Sequence, residues 1–319
     1  MKSADEMSRV AVIGAGVMGE GIAQSFAEAG FEVSLVDVSN TALERCISQI
    51  SANLQTSVDY GIVTESPDVV CTRITTIAAD ELDSVLPYCD LVIEAAPEVL
   101  ELKRGLFTRL DSARSETLLA TNTSSFTVSQ LTEGMQSSRR VVGLHFFNPA
   151  HLIPAVEVHG GHDTDPEALA IAMQLMKRIG KIPVIVRKES PGFVINRLTG
   201  ALSREIDHML DEGIVAPEDL DGAIKASLGF RLAQIGPMEA KDLIGLDTDV
   251  RVSRNVYPTL SNRTEPSQWL VDKVEQGDLG VKTGKGCYSY DGRSREEVLG
   301  ERNRRLLEQR RLFDSQTRR

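Results

Sequence analysis

The sequence predicts an α/β half built on a doubly wound sheet, followed by an all-helical half. Three observations carry that expectation. Short β-branched apolar runs alternate with amphipathic helical patterns as far as Val186. A glycine turn, Gly14-Ala15-Gly16-Val17-Met18-Gly19, sits between the first such run and the first helical pattern. Beyond Ser190 the β-rich runs cease and helical periodicity takes over. Strands alternating with helices make a mostly parallel sheet covered on both faces.

The first strand is expected at residues 10–13, and the helix after the glycine turn runs to Ala29. Strand, glycine turn and helix in that order form the dinucleotide-binding start of a Rossmann domain. Gly14 allows the tight turn, Gly16 lets main chain approach a pyrophosphate, and Gly19 lets the helix lie close on the strand. The helix start at Val17 and Met18 then favours the phosphate's negative charge. A second strand, 32–36, ends in Asp37. A carboxylate there accepts from both ribose hydroxyls of NAD and repels the extra phosphate of NADP, so NAD is the expected cofactor.

A helix follows at 42–53, then strands at 73–77 and 91–95, a helix at 100–111, a strand at 118–121 and a helix at 128–131. The apolar runs of the segment 141–158 form two further strands, and a helix at 166–179 leads to a last strand at 182–186. Helices are expected at 192–212, 217–228, 236–257 and 268–276. Pro191-Gly192 marks the hinge, dividing an NAD-binding Rossmann domain, 1–188, from a helical domain, 189–319, expected to face the substrate. Ligands of open α/β sheets bind at the carboxyl ends of the strands, so the helical half is expected to cap that edge.

The segment VVGLHFFNPAHLIPAVEV, 141–158, carries the chemistry. If its two runs fold back around His151, His145 and Glu157 meet across the turn. A histidine oriented by a carboxylate is an acid–base pair. A core histidine beside an edge-strand charge is the other reading of these residues alone. Glu98 with Lys103 is open to reading as a surface pair, the TNTSS loop at 121–125 as helix caps, and Asn196 as a satisfied core amide.

Composition narrows the function classes. The chain has 319 residues, 41% apolar and 25% charged, with a formal net charge of −11. That acidity argues against nucleic acid and anionic membrane as partners. The four cysteines show neither metal spacing nor a disulfide framework, and read as reduced thiols of a cytoplasmic protein that holds no metal. The polar start MKSADEMSR lacks the apolar core of a secretion signal, and no apolar run reaches membrane-spanning length.

The glycine turn, EAAPE, NTSS, GLHFFNP, AVEV, PGFVINRL, GP-x-E, GLD and VKTGKG follow in an order and spacing that resemble the 3-hydroxyacyl-CoA dehydrogenase superfamily. The resemblance implies an NAD-dependent oxidoreductase, dimeric through its helical domain. It implies His145 as base, Glu157 as its orienting carboxylate, and Ser124 and Asn196 as the residues that hold the reacting oxygen. It further implies Asn148 at the nicotinamide and substrate ends, and Glu98, Lys103, Ser124 and Lys282 as cofactor contacts beside Asp37.

Two departures bear on the substrate. Members acting on CoA esters resemble one another in a lysine-rich segment after the second strand. Here residues 38–80 hold Arg45 and Arg73, no lysine, and Glu44, Asp59, Glu65, Asp68 and Asp80. The stretch GFRLAQIG, 229–236, adds residues before the Gly-Pro motif, among them Arg231, a candidate carboxylate anchor or a surface arginine. Both departures, with the arginine-rich tail from Arg293, look like the branch acting on free small acids. It includes gulonate 3-dehydrogenase with its λ-crystallin relatives, carnitine 3-dehydrogenase and the pyridine-carboxylate dehydrogenase of pyridoxine breakdown. The tail reads otherwise as a solvated helix. A 3-hydroxybutyryl-CoA dehydrogenase and a non-catalytic, crystallin-like NAD-binding protein are the alternatives.

Overall fold

The computed structural model describes residues 1–317. The chain divides into two compact units. The first holds Met1–Asn196 together with Arg304–Leu312, and the second holds Arg197–Asn303 with the residues from Phe313 on.

The first unit is an eight-stranded sheet. Its strands are β1 (Arg9–Ile13), β2 (Glu32–Asp37), β3 (Ile74–Ala78), β4 (Leu91–Glu94), β5 (Leu118–Thr121), β6 (Val141–Phe146), β7 (Ala155–Gly160) and β8 (Ile182–Val186). Their order is β3-β2-β1-β4-β5-β6-β7-β8. All neighbours pair in parallel except β6 with β7. The segment joining those two is too short for a crossover, so it can only fold the chain back as an antiparallel pair.

Helices cover both faces: α1 (Val17–Glu28), α2 (Asn40–Asp59), α3 (Pro67–Cys71), α4 (Leu82–Val85), α5 (Leu100–Leu110), α6 (Val128–Leu131) and α7 (Pro166–Arg178). Their starts follow the sequence: Ser39 Oγ caps α2, Ser66 caps α3, Thr127 and Gln130 form a capping box on α6, and Pro166 opens α7. One face buries Phe26, Ile50, Leu54, Leu175 and Met176 against Val12, Leu35, Leu144 and Val158. The other buries Leu82, Phe107, Leu110 and Leu131 against Ala11, Val92 and Leu119. Leu144, Val156 and Val158 face the first core, so alternation sends His145 and Glu157 to the opposite side of the sheet.

The second unit takes most of α8 (Ile195–Asp211), then α9 (Pro217–Ile224), α10 (Phe230–Leu232), α11 (Pro237–Ile244), α12 (Leu246–Val256) and α13 (Gln268–Glu275). A last helix, α14 (Arg295–Thr317), is shared between the units. The single helix expected at 236–257 is two, because Gly245 takes φ 98°, outside helical backbone, and breaks it. A π-helical turn, Lys225–Gly229, carries α9 into α10. Asp211 ties α8 to the start of α13 and the segment before it, accepting from Arg263 Nη1 at 2.5 Å and Trp269 N at 2.9 Å. The arginine-rich tail is not simply solvated: Arg304–Leu312 belongs with the first unit, and Leu307 is buried.

Candidate active site

The glycine turn has the shape a dinucleotide needs. Gly14 takes φ 112°, and a Cβ there would lie 2.5 Å from Ala95 O. At Gly19 a Cβ would lie 1.7 Å from Gly14 O, so only glycine lets α1 rest on the turn. A Cβ at Gly16 would meet nothing within 4 Å, which leaves open space over the turn for a pyrophosphate. No side chain caps α1 at Gly16, so its first-turn N–H groups at Val17 and Met18 remain for an anion. Asp37 closes the turn from β2: its carboxylate accepts from Ala15 N at 2.7 Å and Ser39 N at 2.9 Å. These residues fit NAD.

His145 and Glu157 stand opposite each other across the β6–β7 pair. The imidazole Nδ1 lies 2.7 Å from Glu157 Oε2, and both side chains are buried. The other carboxylate oxygen, Oε1, accepts from Val194 N at 2.9 Å and Ile195 N at 2.8 Å. Glu157 thus serves as the anion at the start of α8, the helix that carries Asn196. With Nδ1 held, Nε2 is the ring nitrogen that can face a substrate. Phe147 and Phe193 pack on the imidazole, their ring centroids 4.7 and 5.4 Å away. Phe193 holds φ 48°, a left-handed backbone rare for an aromatic residue and typical of functional loops.

A second constellation braces the strand ends beside the dyad. Lys103 is fully buried, and its ammonium reaches Glu94 Oε1 at 2.6 Å, Glu98 Oε2 at 3.1 Å and Ala96 O at 3.1 Å. Three acceptors match its three N–H donors. Glu94, wholly buried, also accepts from Thr121 Oγ1 at 2.7 Å and Ala96 N at 2.7 Å. Glu98 gathers the NTSS loop, accepting from Thr123 Oγ1, Ser125 Oγ, Ser124 N and Ser125 N. Burial pushes the Glu98 carboxyl up, but Ser125, Thr123 and Lys103 outweigh it and bring it down to about 2. The loop therefore has a permanent anion as its cap.

Met18, Glu98, Lys103, Ser124, His145, Asn148 and Asn196 line one cavity of about 360 Å³, with Ala95, Ala96, Asn122, Phe146 and Phe147. Sequence reasoning passed over Glu94, which reads as the end of an apolar strand. It noted Asn122 within the TNTSS loop without assigning it a role; its Oδ1 accepts from Phe146 N at 2.9 Å and ties the NTSS loop to β6. Arg231 on α10 and Lys282 in the 280–285 hairpin are exposed residues of the second unit. Among the described residues no group of histidine, cysteine or acidic side chains could hold a metal ion.

Residues 9–190 match the model for the NAD-binding domain of 3-hydroxyacyl-CoA dehydrogenase, and residues 192–290 match its C-terminal domain. The chain belongs to the 3-hydroxyacyl-CoA dehydrogenase family. It is an NAD-dependent oxidoreductase acting on CH–OH donors. One similar protein is the 5-formyl-3-hydroxy-2-methylpyridine 4-carboxylate 5-dehydrogenase of Mesorhizobium japonicum, 35% identical over 96% of this chain and 98% of that one. A crystal structure of such a dehydrogenase, described as an NAD+-dependent dismutase, superposes with TM-score 0.89 at 34% identity, covering 97% of this chain and 99% of the other. The (S)-3-hydroxybutyryl-CoA dehydrogenase of Ralstonia eutropha, also 34% identical, gives TM-score 0.71 over 90% of this chain and 100% of its own.

Proposed function

We propose that this dehydrogenase oxidises a small free carboxylic acid at a hydroxyl carbon, of 3-hydroxy, hydroxymethyl or hydrated-aldehyde type, rather than a CoA ester. The observation that carries the reading is the surface after β2. Of its two arginines, Arg73 is spent on Glu65, paired through both guanidinium nitrogens at 2.6 and 2.7 Å, and on Ala27 O. Arg45 is the other, on a segment that also exposes Glu44, Asp59 and Asp68, a poor landing for a polyanionic CoA. The higher structural similarity to the pyridine-carboxylate enzyme, 0.89 against 0.71, supports it. So does Arg231, a guanidinium suited to grip a carboxylate.

Gly14, Gly16, Gly19 and Asp37 would hold NAD, which would supply the hydride acceptor. His145 Nε2 takes the hydroxyl proton, and Glu157 holds the imidazole and balances the imidazolium charge. Ser124 and Asn196 donate to the oxygen as it becomes a carbonyl, where preorganised donors are worth several kcal/mol, about 3 for a single one. Asn148 positions the nicotinamide end, and Lys282 completes the cofactor contacts with Glu98 and Lys103. The Rossmann part, 1–188, carries most of this chemistry, and the helical part, 189–319, supplies Asn196, Lys282, the substrate contacts and a homodimer interface. The four free thiols support a reducing, cytoplasmic setting.

The test is an NAD-reduction screen of gulonate, carnitine, hydroxymethyl- and formyl-pyridine carboxylates and 3-hydroxybutyryl-CoA on the purified protein. The free-acid reading expects at least one acid to surpass the CoA ester in kcat/KM. Fastest turnover of 3-hydroxybutyryl-CoA overturns it.

A further inference from the structure

The chain continues beyond residue 290, where the family's C-terminal match stops, into α14. Within the first unit that helix meets the turn between β6 and β7. Arg310 Nη1 donates to Leu152 O at 3.0 Å, while neighbouring Leu307 is 1% exposed. A second cation holds the same turn: Lys181, 6% exposed, donates from Nζ to Ala150 O at 2.5 Å and Ile153 O at 3.0 Å. Pro149 O takes Leu152 N and Ile153 N, and Pro154 O takes Ile182 N. The carbonyls of Pro149, Ala150, Leu152, Ile153 and Pro154 therefore all hold a donor. Underneath, Gly21 of α1 lets the turn sit directly on the helix, since a Cβ there would lie 2.9 Å from Ala150 Cβ.

Placing two cations beside one buried turn is costly. Burial first, and then the charge of Arg310, bring the Lys181 ammonium down to about 7, with Glu28 opposing. Packing alone would not call for such an arrangement, because Ala150 and Leu152 already bury the turn's apolar side. What the turn does carry is Asn148, at its entrance and on the wall of the active-site cavity.

We propose that Arg310, working with Lys181, is a positioning residue for the reaction: it fixes the turn 148–154 and thereby holds Asn148 against the nicotinamide end of the site. The inference rests on the placement of the nicotinamide by Asn148. Displacements of about 1 Å at a reacting centre cost as much as 100-fold in rate, so a rigid turn has functional value.

The test uses the full chain and two ligands, NADH and ADP-ribose, which lacks the nicotinamide. Arg310→Met keeps the aliphatic stem and removes the donor. It should weaken NADH binding about tenfold, roughly 1.4 kcal/mol, and leave ADP-ribose binding within about twofold of the parent. Arg310→Lys restores a cationic donor and should bring NADH binding to within about threefold of the parent. Equal loss of both ligands, or loss of neither, overturns the proposal. If Arg310→Met does not fold, Arg310→Gln, which removes the charge and shortens the reach, takes its place with the same expected and overturning results. Asn148→Ala is the comparator. If it loses NADH selectively while Arg310→Met does not, only the role of Arg310 falls; if it leaves NADH binding unmoved, the nicotinamide placement falls as well.

Discussion

At the scale of single residues, the dyad makes the sharpest demand. Glu157 serves two clients, the imidazole through Oε2 and the Val194 and Ile195 amides through Oε1. Glu157→Gln retains an oxygen for the amides but offers Nδ1–H only an NH2 group, so turnover should fall while the fold survives. His145→Gln should cut kcat by a factor on the order of 10² to 10⁴ with NADH affinity nearly unchanged; a fully active His145→Gln enzyme would remove the base. Behind the dyad lies a second histidine, His159, wholly buried, stacked 4.2 Å from Phe193, with no hydrogen-bond partner at either ring nitrogen among the described residues. It fits only because Gly143 faces it: a Cβ there would lie 1.9 Å from its Nε2. Burial, and then the charge of His145, push His159 down to about 4. A native value below the unfolded value of about 6.5 means stability is complete above that pH and drains away as pH falls toward 4, on the order of 3 kcal/mol in all. His159→Leu should thus match or exceed the parent's melting temperature at pH 8. Its advantage should widen between pH 6.5 and 4; parallel melting curves across that range would show that His159 is not the group responsible.

At the scale of elements, what the sequence could show depended on whether partners were local. The His145–Glu157 register was legible because a turn about His151 leaves one symmetric pairing for two apolar runs. The glycine turn was legible for the same reason, as strand, turn and helix are contiguous. Glu98 was legible as a candidate but not as the cap of the NTSS loop, since Thr123 and Ser125 lie far along the chain. Lys103 looked like one half of a surface pair or a cofactor contact, and the structure shows it buried between Glu94 and Glu98. The break at Gly245 was missed because the apolar periodicity on either side of it stays in phase. Removing one member of a buried ion pair leaves an uncompensated charge, at a cost of about 3–5 kcal/mol. Lys103→Met should therefore lower the melting temperature sharply, and adding Glu94→Gln should recover part of the loss. If the double variant is the sum of the two singles, the pair is not coupled and the brace is misread.

At the scale of the whole molecule, the two units differ in how they use apolar side chains. The first buries them on both faces of its sheet, whereas helices α8 to α13 of the second bury none fully. Phe230, Met238, Leu243 and Tyr257, on or next to α10 to α12, are 74, 69, 70 and 65% exposed. Monomeric proteins rarely leave large apolar patches open to water, and at about 25 cal/mol per Å² covering several such side chains supplies several kcal/mol toward association. The protein is therefore expected to sediment as a dimer at micromolar concentration, with the second unit at the interface. Met238→Glu with Leu243→Glu should shift it to monomer. Because every residue lining the cavity belongs to the first unit, and Lys282 is the one proposed cofactor contact outside it, the monomeric variant should still bind NADH. A parent chain that sediments as a monomer at all concentrations would refute the dimer, and a monomeric variant that loses NADH would show that cofactor binding depends on the dimer.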